Sequence, residues 1–151
     1  MSTEVKNKRV SKEELIAIRD SVQSLCKDFP GEYWRKLDEK REYPTSFVNA
    51  MTESGFLAVL IPERYGGAGL GLEAACAILE EIHKNGCNAG ACHAQMYTMG
   101  TILKHGSNKQ KKEWLPKIAS GEIRLQAFGV TEPTSGTDTL SLKTMATKKN
   151  K

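Results

Sequence analysis

The chain has 151 residues, with 22 Lys and Arg against 18 Asp and Glu, for a net charge of +4. Apolar residues make up 39% and charged residues 26%, which fits one compact globular domain with a core and excludes a disordered chain. The charge is too small and too dispersed for a nucleic-acid specialist, and 13 Gly and 5 Pro exclude fibrous classes.

Helical signals dominate in chain order. Ser11 and Glu14 form a capping box, and Leu15, Ile18, Val22 and Leu25 follow at helical spacing until Pro30-Gly31. A charged helix is predicted over roughly 32–41. Pro44 opens a third, and Gly55 stands where a C-cap glycine belongs. Residues 56–62 (FLAVLIP) are ambiguous between a short strand and a buried connector. A glycine-rich loop occupies 63–71. Its glycines precede a helix, as in a dinucleotide-binding turn, but Pro62 interrupts the approach and no second strand with an acidic end follows. A tight connector is the better reading.

Two apolar helices come next, over about 72–84 and 89–104. Gly86 to Leu103 is an uncharged run of 18 residues, but Asn88, His93, Gln95 and three glycines make it too polar to span a membrane. Ser107 and Gln110 form a second capping box, opening a Lys-rich helix to about Trp114, with a last short helical turn over 115–120. Lys104, Lys109, Lys111, Lys112 and Lys117 lack interleaved aromatics, so a solvated helix face is expected. Residues 124–131 and 140–147 alternate as strands do, around a Pro/Gly/Thr/Ser loop at 132–138. The expected fold class is therefore mainly α: a helical domain over 1–122, then the first strands of a β-domain over 123–151. Two strands make no stable sheet alone, and the sequence reads as stopping inside a domain.

Cys26, Cys76, Cys87 and Cys92 follow no secretory segment, and reduced thiols in a cytoplasmic protein are expected. Cys87, Cys92 and His93 lack zinc-site spacing, so no metal site is expected.

The segment that carries chemistry is Phe128-Gly129-Val130-Thr131-Glu132-Pro133-Thr134-Ser135-Gly136-Thr137-Asp138. Small hydroxyl residues, a proline and a glycine at a strand end give a rigid loop with several donors, suited to a flavin edge or a phosphate. An ordinary turn has the same composition. Here the chain resembles the acyl-CoA dehydrogenase family, whose signature is Val-Thr-Glu-Pro, two small residues, Gly, Ser or Thr, then Asp. Val130 to Asp138 matches it, with Thr137 where Ser is more common. Residues 61–69 (IPERYGGAG), 105–111 (HGSNKQK) and 115–122 (LPKIASGE) resemble further family motifs in the same order.

The resemblance implies FAD-dependent α,β-dehydrogenation of an acyl-CoA thioester, with an electron-transfer flavoprotein as acceptor. It implies that Phe128, Gly129, Val130, Thr131, Glu132, Pro133, Thr134, Ser135, Gly136 and Thr137 line FAD, that Thr137 also meets acyl-CoA, and that helix 89–103 forms a wall of the acyl pocket. Met96 and Met99 are candidates for that wall and equally for the core. The family's general base comes from a C-terminal domain, and no acid here matches it. The resemblance thus implies no catalytic residue in this chain, a fragment inactive alone, and weak or absent FAD binding. Family members are homo-oligomers; no nucleic-acid or membrane partner is implied. Open alternatives are a non-enzymatic helical interaction module, one part of a split flavoenzyme, or another enzyme of the family such as an oxidase.

Overall fold

The computed structural model describes residues 9–127 and 129–149. Among the described residues six α-helices carry the fold: α1 (Lys12–Cys26), α2 (Gly31–Lys40), α3 (Thr45–Glu53), α4 (Leu72–Lys84), α5 (Gly90–His105) and α6 (Asn108–Ala119). The mainly helical fold class expected from the sequence is what the chain adopts. Both capping boxes form. Ser11 accepts from the Glu14 N–H while Glu14 reaches back to the Ser11 N–H, and Ser107 and Gln110 repeat the exchange.

The core is built by residues with helical spacing on facing elements. α1 packs along α4. Val22 and Cys26 of α1 and Ala74, Ala75, Ile78 and Ile82 of α4 are buried, and the alanines allow close approach. α5 brings Cys92, Met96 and Met99, and α6 brings Leu115 and Ile118. Residues 57–61 are all buried between them. The ambiguous 56–62 stretch is thus a buried connector. It opens with a 3-10 turn, Phe56–Ala58, and leads to a second, Glu63–Tyr65.

The glycine run folds back on that connector. Ala68, Gly69 and Leu70 donate their N–H groups to Ala58, Ile61 and Val59. A Cβ on Gly67 would lie 2.1 Å from the Ile61 carbonyl oxygen and 2.4 Å from that of Ala58. The glycine is required by close backbone approach, and these N–H groups are already used within the chain.

Two expectations are corrected. α6 runs unbroken through Pro116 to Ala119 instead of ending near Trp114. Proline removes one intrahelical bond, but its own carbonyl accepts from Ser120, and the buried neighbours Leu115 and Ile118 hold the turn on the core. The strands expected over 124–131 and 140–147 do not form among the described residues. The only pairing there is an isolated antiparallel bridge, Glu132 to Ser135, and Thr139–Ser141 is a 3-10 turn. Neither extended segment has a ladder partner, and an alternating pattern without one gains no sheet. Among the described residues no helix is long and apolar enough to cross a membrane.

Candidate functional site

The segment singled out by sequence is reached through a fixed connection from the helical core. After α6, Ile123 donates to the Lys117 carbonyl. Arg124 donates to Thr52 Oγ1 at 2.9 Å and to Asn49 Oδ1 at 3.0 Å, binding the connection to α3. Gln126 accepts from the Tyr43 hydroxyl at 2.5 Å and donates to the Ala91 carbonyl at 3.2 Å. Burial pushes the Tyr43 hydroxyl above its ordinary pKa, against the hydrogen bond to Gln126. Tyr43 and Gln126 edge a cleft of about 450 Å³, whose other walls include Trp34, Asn88, Gly90 and Ala94.

Phe128 lies outside the described residues. Beyond it the chain turns tightly. Glu132 N–H donates to the Ser135 carbonyl at 2.9 Å, and Ser135 N–H returns to the Glu132 carbonyl at 3.2 Å. Ser135 is buried, and its hydroxyl donates to the Asp138 carbonyl. The Glu132 carboxylate accepts from the Lys143 N–H at 2.8 Å and the Thr144 N–H at 2.7 Å. Hydrogen bonds from the Thr144 side chain and from these two amides hold its pKa below the usual carboxylate range. Glu132 is therefore a structural clasp between 132–135 and 143–144, a role no sequence motif announces.

The remaining residues of the segment face outward. Gly129, Thr131, Pro133, Thr134, Gly136 and Thr137 are exposed, and Val130 is half-buried. The backbone N–H groups of Val130, Thr131, Gly136 and Thr137 make no hydrogen bond among the described residues. A Cβ placed on Gly129 or Gly136 would meet nothing within 4 Å. The segment is thus a self-braced turn with free donors and open space before it, the geometry a flat polar ligand edge needs.

The structure separates the α5 candidates. Met96 and Met99 are buried in the core. The outward flank carries Gly90, His93 and Tyr97, with the His93 and Tyr97 rings edge to face at 5.0 Å. Helical phase groups Met96 and Met99 on one face with Cys92, and the packing of α5 turns that face inward. Among the described residues no group of three or more His, Cys, Asp or Glu could hold a metal ion.

Residues 12–122 match the family model described as acyl-CoA dehydrogenase, N-terminal domain. The chain belongs to the acyl-CoA dehydrogenase family. Acyl-CoA dehydrogenase FadE12 of Mycobacterium tuberculosis is 33% identical over 138 residues, covering 91% of this chain and 35% of that protein. The structure resembles glutaryl-CoA dehydrogenase in complex with glutaryl-CoA, with a TM-score of 0.72 and 33% identity over 88% of this chain and 34% of that one. It also resembles the acyl-CoA dehydrogenase of Bacillus anthracis complexed with FAD, with a TM-score of 0.75 and 29% identity over 88% of this chain and 23% of that one. The chain spans about a third of the length of the curated relatives it matches.

Proposed function

We propose that this chain supplies the N-terminal helical domain (1–122) and the opening of the middle domain (123–151) of an FAD-dependent acyl-CoA dehydrogenase. The observation that carries this reading is the braced turn at 129–137, with its free backbone donors and the open space at Gly129 and Gly136. Phe128 to Thr137 would line FAD, with Val130 and Thr131 toward the polar edge of its ring and Thr137 also meeting acyl-CoA. When bound, the flavin accepts the hydride leaving the β-carbon of the acyl thioester.

The residues of this chain orient and shield; none takes the α-proton. Glu132 is committed to the Lys143 and Thr144 amides, which supports its exclusion as a base. The wall offered to the acyl chain is the outward flank of α5, around Gly90, Ala94 and Tyr97, and not Met96 and Met99. Electrons would pass onward to an electron-transfer flavoprotein.

In this reading the 151 residues alone have no dehydrogenase activity and hold FAD weakly or not at all. The test is an absorbance scan of the purified chain across the flavin bands after incubation with excess FAD and desalting. No retained flavin, with helical circular dichroism intact, is expected. A retained flavin spectrum together with acyl-CoA-driven bleaching would overturn the claim that these residues are insufficient.

A further inference from the structure

One lysine of the α6 run shares a cleft with a cation from another element. The 3-10 turn Glu63–Tyr65 follows the buried connector and packs against α6. Between them lies a cleft of about 560 Å³, lined by Arg64, Tyr65, Asn108, Lys112 and Pro116. No carboxylate lines it, although Glu63 and Glu113 stand next in sequence to its two cations. Neither Arg64 nor Lys112 has a carboxylate partner among the described residues, whereas Lys117 is taken up by Glu122 at 3.9 Å and by the Trp114 ring. The Arg64 guanidinium lies 4.9 Å from the centre of the Tyr65 ring. That ring packs against the core, so the stacking orients the arginine while its N–H edge stays available to a ligand. None of residues 129–137 lines this cleft, and the proposed dehydrogenase chemistry does not use it.

We propose that Arg64, Lys112 and Asn108 form an anion site for a small molecule that carries phosphate. Two unpaired cations on facing walls favour a dianion over a monoanion, and a phosphate monoester carries about −1.5 to −2 charges near neutral pH. The planar guanidinium matches two phosphate oxygens with two parallel N–H donors. The Lys112 ammonium supplies a point charge, and the Asn108 side-chain amide a neutral donor. The backbone N–H groups of Asn108 and Lys109 make no hydrogen bond among the described residues and add positive potential at the same end. The cleft is larger than one phosphate fills, which leaves Tyr65 and Pro116 to contact an organic portion.

A nucleic acid fits this surface less well. It needs cations spread along a face to follow its backbone. Here Lys104, Lys109 and Lys111 stand outside the cleft, and the whole chain carries only +4. The lysine run of α6 has no interleaved aromatic of its own; the fold supplies one from the 3-10 turn, together with the arginine stacked on it.

The isotopically labelled full chain is titrated with inorganic phosphate, pyrophosphate and ADP at constant ionic strength and followed by NMR. The Arg64 Nε–H, the Asn108 side-chain amide and the Lys112 N–H should shift together along one saturating curve. ADP binding tighter than pyrophosphate assigns the organic portion to Tyr65 and Pro116, and equal binding assigns the site to the phosphates alone. Arg64→Gln and Lys112→Gln should each weaken binding about tenfold or more. Lys104→Gln removes the same charge outside the cleft and should change it less than about twofold. Arg64 and Lys112 are exposed, and unchanged helical circular dichroism separates lost binding from lost fold. Shifts that never saturate, or equal losses from Lys104→Gln and Arg64→Gln, would overturn the proposal. So would a short oligonucleotide that displaces pyrophosphate while shifting Lys104, Lys109 and Lys111.

Discussion

Glu132 accepts two consecutive backbone amides, an arrangement in which a carboxylate is worth far more ionised than protonated. Its folded pKa lies below the unfolded one, held there by the Thr144 side chain and the Lys143 and Thr144 amides. The clasp is therefore fully present above the ordinary carboxylate range and is lost as pH falls through the lowered folded value. Protection of the Lys143 and Thr144 amides from exchange, taken relative to an unstructured chain at the same pH, should be high at neutral pH and fall only in acid. Glu132→Ala should abolish that protection at every pH. Equal exchange in the two proteins at neutral pH would mean the clasp does not hold in solution. Sequence reading assigned Glu132 to the expected flavin loop and was blind to its partners, which come from 11 and 12 residues further on.

Among the helices, α2 shows how little of its own stability an element needs. It buries none of its residues outright and is held by rings. Tyr33 and Trp34 meet edge to face at 5.1 Å; Trp34 meets Phe47 of α3 at 5.0 Å; Phe29 meets Phe47 at 5.2 Å and Tyr33 at 5.1 Å. Phe47 is fully buried and touches both neighbouring rings. Phe47→Ala should cost about 3–5 kcal/mol by removing the buried ring and leaving a cavity, and Phe47→Leu markedly less. Denaturant unfolding measures both, and a loss below about 1 kcal/mol for the alanine would refute the ring cluster as the anchor of α2. The helices were legible because their signals are local: Ser11 with Glu14, Ser107 with Gln110, and apolar residues every third or fourth place. The continuity of α6 through Pro116 was not, because burial of Leu115 and Ile118 outweighs one missing hydrogen bond only once the core exists. The inward turn of Met96 and Met99 likewise depends on which flank of α5 meets α6 and the 57–61 connector. The strands failed for a different reason. Alternation names a side of a sheet, and no described residue supplies the neighbouring strand.

At the scale of the whole molecule, residues 129–149 stand apart from the helical unit energetically. Every hydrogen bond they make among the described residues is internal to them. Leu140 is 97% exposed and Met145 84%, so their apolar surface adds nothing to the core that α1 to α6 share. The connection before them is different: Arg124 and Gln126 bond to α3 and α5, and Leu125 packs against the core. A chain ended after Ala127 should keep its helical circular dichroism and lose less than about 1 kcal/mol, a fall of roughly 2–4 °C in melting temperature for a domain of this size. Ending it after Gly121 should cost more, because the Arg124 and Gln126 bonds go with it. If the first truncation instead melts far below the full chain, the 129–149 segment is packed on the helices in solution. The outward donors of 129–137 would then be bracing the domain itself and not facing a ligand, and the case for a flavin there would fall with them.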